Sequence, residues 1–262
     1  MAELIVLQSL WAMERRHTDG VERSLEQNLA MIMRAGFGGV SAHCTDREHV
    51  KRIVSVLGDE KFAIEGQVFP KTVDDLKPVL DIASEFAVDH INLQPDVRPR
   101  RLEDCFPLIE GWQRLGEEAG IPIYVETHRD RMTTDLYFVL DLLDRYPELK
   151  LIADLSHILV GREFAWPVSE ENHALVHQIL DASWRSTAAS PHGNRCRSKS
   201  RSHITSLGSI CSCDCGITAF EVSVSAPDIM RPYTSRANSA RSRTRSLPLM
   251  EMIRLIVGRS LS

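Results

Sequence analysis

Apolar residues in the first 184 positions follow two alternating rhythms. Short runs recur at 4–10 ("LIVLQSL"), 38–43 ("GGVSAH"), 62–69 ("FAIEGQVF"), 90–95 ("HINLQP"), 121–127 ("IPIYVET") and 149–155 ("LKLIADL"). Their length and their Val, Ile and Leu content predict strands covered on both faces. Amphipathic stretches lie between them. In 24–37, Leu25, Leu29, Ile32 and Met33 share one helical face; 72–87 and 102–120 behave alike, the latter closing on Gly120 as a C-cap. The stretch 133–147 opens with Thr and Asp and stops at Pro147, and 170–184 reads as a further helix. The unit is strand then helix, repeated roughly every 30 residues, which predicts a parallel sheet with helices outside it.

A doubly wound sheet and a (β/α)8 barrel both accommodate six such units. No glycine-rich phosphate loop follows the first run, where "LQSLWAMERRH" stands, and this weighs against a dinucleotide fold. Six units in 184 of 262 residues leave room for two more, matching a barrel of about 250 residues. The prediction is an α/β fold, a (β/α)8 TIM barrel.

In such a barrel the C-terminal strand ends form the active face. The sequence places there His43, Glu65 or Gln67, Gln94, Glu126 with His128, and Asp154 with His157, with Arg162 just beyond. Glu126 and Asp154 are 28 residues apart (154 − 126), about one strand–helix unit, so equivalent positions on adjacent strands are expected. Neighbouring carboxylates repel unless a proton or cation lies between them. A lining of oxygen and imidazole suits a divalent ion. Blander readings stay open: Asp154 and His157 as a cap on the next turn, Glu126 paired with Arg129 or Arg131, and His43, Gln67 and Gln94 as pocket wall.

"YVETH" (124–128) followed by "ADLSH" (153–157) resembles the xylose-isomerase-like TIM-barrel superfamily, the sugar phosphate isomerases and epimerases, over residues 1 to about 184. The resemblance implies that Glu126 and Asp154 bind a divalent ion (Mn2+, Mg2+ or Co2+), with Glu126 also the acid/base and His157 contacting substrate. His43, Gln67, Gln94, His128 and Arg162 complete the expected substrate-binding set. The implied activity is isomerisation or epimerisation of a sugar, sugar phosphate or sugar acid. It proceeds by proton abstraction beside a carbonyl through an enediolate. A metal-dependent dehydratase of a polyol-derived ketone shares the first step and is the alternative. The expected partner is a small sugar-like molecule.

After Trp184 the chain changes character. Residues 1–184 hold 19 Lys+Arg against 32 Asp+Glu, and residues 185–262 hold 12 against 4. Serine rises from 8 residues to 16, and four of the six cysteines lie in this tail. The resemblance calls for a metal-binding His on strand seven and Glu on strand eight, yet "RSTAASPHGNRCRSKSRSHITSLGSICSCDCG" supplies neither in a strand-like setting. The barrel is therefore expected to be incomplete or irregular after the sixth unit and the site impaired. Bare edges on strands one and six would then favour homo-oligomers. Residues 185–262 read as a poorly ordered Ser/Arg-rich segment with a short helix near 247–258.

Regrouping the codons after Trp184 one base earlier permits Ala-Phe-His-Gly, then Val-Glu-Ile, then Arg-Leu-Trp-Asp-Tyr-Gly-Phe-Arg-Ser. This restores the wanted His and Glu in order, so residues 185 to about 245 read as a frameshifted copy of strands seven and eight. An inactive barrel with an RNA-binding Arg/Ser tail is the rival, but Phe220 and Tyr233 are the tail's only Phe or Tyr available for stacking, and nucleic acid is not an expected partner. "CSCDC" (211–215) lacks the paired spacing of zinc sites. With 43% hydrophobic and 26% charged residues, no membrane-length apolar run and no secretory start, a cytoplasmic globular protein is expected.

Overall fold

The computed structural model describes residues 5–14, 21–58, 62–163, 169–189 and 219–223. Strands and helices alternate: β1 (Ile5–Ser9), α1 (Leu25–Arg34), β2 (Gly39–His43), α2 (Arg47–Leu57), β3 (Ala63–Val68), α3 (Lys77–Glu85), β4 (His90–Leu93) and α4 (Phe106–Ala119). Then follow β5 (Ile123–Glu126), α5 (Leu136–Arg145), β6 (Leu151–Asp154), α6 (Leu155–Gly161), α7 (Glu170–Asp181), β7 (Ser183–Ala189) and β8 (Ala219–Ser223). All six predicted strands form and pair in parallel, each with the next, as the TIM-barrel prediction requires.

The helix ends follow local chemistry. Ser24 and Gln27 close a capping box on α1, and Asp46 caps α2 by accepting from the Glu48 and His49 amides. Asp135 is the residue in the Thr-Asp opening of 133–147 that caps α5, accepting from Phe138 N. Gly120 ends α4 at φ 70°, the left-handed C-cap predicted for it. The helices α2 and α6 were not singled out by the sequence reading.

The ring closes irregularly. β7 runs parallel to β6 with a register shift between Leu151 and Ile152, and β8 lies antiparallel to both β7 and β1. The edges expected to be bare on β1 and β6 are thus paired, and β7 crosses the expected boundary at 184. The helix expected near 247–258, the Arg/Ser-rich segments and the 211–215 cysteines fall outside the described residues. Among the described residues no helix is long and apolar enough to cross a membrane.

Although the six strands are buried on both faces, the faces differ. Outward, Val40, Ile64, Ile91, Leu93, Val125 and Leu151 join a core with Leu29, Ile32, Ile53, Ile109 and Leu142 of the helices. Each such side chain contributes roughly 1.5–3 kcal/mol on burial. Trp112 of α4 is enclosed, and its indole N–H donates to Thr72 O at 2.9 Å. Inward, the register lines up Ser41, Glu65 and His90 in one row and His43, Gln67 and Asn92 in the next. On β2, β3 and β4 the inward positions are polar, while Leu7, Tyr124 and Ile152 add apolar lining from β1, β5 and β6.

Candidate active site

β5 ends in Glu126, and the chain turns at once through His128. That turn is fixed by hydroxyls: Thr133 Oγ1 donates to the Glu126 carbonyl at 2.6 Å and accepts from His128 N at 3.1 Å. Thr127 Oγ1 joins β5 to β6, accepting from Asp154 N at 2.9 Å and donating to Asp154 O at 3.2 Å. The two motifs "VETH" and "ADLSH" are thereby tied together.

Glu126 is 3% exposed. Its Oε2 accepts from Asn92 Nδ2 and, at 3.1 Å, from Gln94 Nε2. Burial, then the charge of Asp154, push its carboxyl well above the usual range, and Glu65 adds to this. Asp154 is likewise raised by burial. Register refines the expected pairing: Glu126 lies opposite Ile152, so Asp154 shares its face of the sheet but sits two residues further along.

Ligand atoms of Glu126, His128 and His157 lie within 4.8 Å of one another. The imidazole rings of His128 and His157 are 3.8 Å apart between centroids. His128 Nδ1 is 2.7 Å from the Arg129 carbonyl. A carbonyl only accepts, so the proton sits on Nδ1 and Nε2 keeps its lone pair. His157 is 7% exposed and its Nδ1 has no partner. Burial and the His157 ring pull His128 down to about 4; burial, with Arg129 and Arg131, does the same to His157. Both rings are neutral at pH 7. The 3.5 Å contact of His157 Nε2 with Asp154 Oδ2 is therefore not an ion pair at that pH.

The blander readings divide. Asp154 does cap: its Oδ1 accepts from Ser156 N at 2.9 Å and Ser156 Oγ at 2.6 Å in the first turn of α6. Its other oxygen faces His157. Arg131 pairs with Asp96 at 2.9 Å, and Glu126 is held by amides. Gln94, expected to touch substrate, donates to Glu126. Gln67 is buried in the interior row beside Asn92. His43 stands at the rim against Phe69, which is 37% exposed, and the Arg131 guanidinium lies 5.7 Å from the centre of that ring. Arg162 packs on Tyr137 of α5, 4.6 Å from its ring, so the fold uses it in the helix layer. The sequence reading missed Asn92 and the Glu65–His90 pair. Their signal was period-two polarity, Ser41-x-His43, Glu65-x-Gln67 and His90-x-Asn92-x-Gln94, inside apolar runs.

No family model matches the chain, and no curated protein matches it. Among solved structures it is similar to the probable 3-DHS dehydratase AsbF, involved in petrobactin synthesis, from Bacillus anthracis. The identity is 16% over 70% of this chain and 74% of that one, with TM-score 0.50. It is also similar to a xylose isomerase-like TIM barrel protein from Mycobacterium smegmatis in complex with magnesium (16% identity, 71% and 76% covered, TM-score 0.47). A sugar phosphate isomerase/epimerase from Parabacteroides distasonis matches at 12% identity, with 59% and 66% covered and TM-score 0.47. At such identities the likeness is one of architecture alone, the curled run of six parallel strands with helices between them that the first six strand–helix units build.

Proposed function

We propose that the chain is a metal-dependent isomerase or epimerase of a sugar-like hydroxy ketone, with Glu126 as its base. One observation carries this reading: a buried carboxylate with raised proton affinity lies within 4.8 Å of two imidazoles that are neutral at pH 7. The donors fit a divalent ion. His128 Nε2 and His157 Nδ1 offer unused lone pairs, and both amide bonds to Glu126 fall on Oε2, leaving Oε1. Two imidazoles with carboxylate oxygen suit Mn2+ or Co2+ better than Mg2+, which prefers oxygen alone. Asp154, on the same face, adds charge and a further oxygen.

When bound, the ion would polarise the ketone and its neighbouring hydroxyl, acidifying the C–H between them. Glu126 takes that proton. Burial and the charge of Asp154 raise its proton affinity, which strengthens a carboxylate as a general base. Asn92 and Gln94 hold the carboxylate still through the transfer. Return of the proton from Glu126 to the neighbouring carbon gives an isomer, whereas an epimer requires a second acid to deliver a proton to the opposite face of the same carbon. Loss of a β-hydroxyl after the same first step would make the chain a dehydratase. The exposed Phe69 ring beside His43 offers a wall for the C–H face of a sugar.

The test is proton NMR of the full-length chain with Mn2+ in D2O and a panel of ketoses and ketose phosphates. Deuterium should enter beside the carbonyl with the wild type and not with Glu126→Gln. Equal exchange by both would overturn the assignment, and an enone chromophore without exchange would favour the dehydratase.

A further inference from the structure

We infer that Asn92 is a positioning residue that sets the orientation of Glu126 from beneath the site, an inference that rests on the metal reading proposed for Glu126. Asn92 has no exposed surface and belongs to the inward face of β4. Its single Nδ2 serves two carboxylates, donating to Glu65 Oε1 at 3.1 Å and to Glu126 Oε2. An amide nitrogen carries two hydrogens, and both are used. Turning the amide over would set Oδ1 against two carboxylates, so the acids themselves fix its direction.

Glu65 is fixed in turn, and it is 2% exposed. Ser41 Oγ donates to Oε1 at 2.7 Å, and His90 Nε2 lies 2.8 Å from Oε2. A chain of bonds therefore crosses four neighbouring strands: Ser41 on β2, Glu65 on β3, Asn92 on β4 and Glu126 on β5. Every member is enclosed, so bulk water cannot stand in for a lost partner.

This arrangement is a poor way to stabilise a core. Two acids are buried around one amide whose Oδ1 is left without a partner, whereas leucine would fill the same volume without that penalty. What the arrangement does achieve is direction. With Oε2 clamped from below by Asn92 and from the rim by Gln94, the carboxylate presents Oε1 along one line. Asn92 touches no reacting atom and acts only through Glu126.

The full-length chain titrated with Co2+, followed by affinity and by the visible ligand-field band, tests this. Asn92→Leu should weaken Co2+ binding 10–100-fold, the range for partners that orient a metal ligand, and alter the band at saturation because Glu126 turns. A merely structural residue would move melting temperature and leave both readouts alone. Affinity within threefold of wild type with an unchanged band overturns the inference. If Asn92→Leu does not fold, Asn92→Val, also without a donor, is judged by the same criterion. A wild type whose Co2+ binding and band match those of Glu126→Gln sinks the metal reading itself, and this inference with it. Normal binding by wild type and Asn92→Leu alike removes only the positioning role.

Discussion

Replacing His157 with Asn should flatten the acid sensitivity of the metal-free fold. In the unfolded chain an imidazole takes its proton near the ordinary 6.5, whereas buried in α6 beside Arg129 and Arg131 it waits until about 4. Between those values the unfolded chain binds one more proton than the folded one, so stability rises with pH. The contribution is complete above 6.5 and is lost as pH falls through about 4. At about 1.4 kcal/mol per pH unit, it amounts to about 3 kcal/mol over the window. Urea unfolding of wild type and His157→Asn at intervals from pH 7.5 to 4.5, with EDTA present, measures the difference. Groups remote from His157 are common to both proteins and cancel, whereas His128, which the His157 ring helps to hold down, is relaxed in the variant and adds to the flattening. The wild type should lose about 2.2 kcal/mol more than the variant between pH 6.5 and 4.5. Parallel curves, within about 0.5 kcal/mol, would refute the neutral buried imidazole and with it a ligand-ready His157.

Mn2+ at a hundred times its dissociation constant should stabilise the chain by about 2.7 kcal/mol; thermal denaturation should show this gain reversed by EDTA and absent in Glu126→Ala. Ser24→Ala removes the capping box of α1 and should cost about 1 kcal/mol in urea unfolding. Gly39→Ala should prevent folding, read as loss of soluble protein, because its Cβ would lie 2.4 Å from the Ala63 carbonyl and 2.3 Å from Leu7 Cδ2. Sequencing the DNA across codon 184 should reveal a single-base change whose correction restores a His and a Glu in order, and the corrected chain should bind Mn2+ more tightly. A coding frame that no such change improves ends that explanation.

Six strands and most helices were legible because burial on an α/β sheet writes itself as apolar runs and helical stripes. The Glu126, His128, Asp154 and His157 constellation was legible too, since charge at the end of such runs has few other causes. Register was not: two residues separate the levels of Glu126 and Asp154, and only the stagger of the strands shows it. The bond from Gln94 to Glu126 was not legible either, because an amide can face a substrate, a carboxylate or both, and sequence does not say which. α6 escaped notice because seven residues give too little periodicity. The pairing of β7 and β8 rests on closure of a ring, which depends on distant contacts rather than on local apolar pattern.

The two faces of the strands separate two kinds of tolerance. Substitutions at outward positions such as Ile91 or Val125 act on whether the molecule persists; those at inward positions such as Asn92 or Gln94 act on what it can do. A library confined to the inward set could therefore explore new reactions on an unchanged outer core, and the members that survive should be those that keep each buried acid partnered.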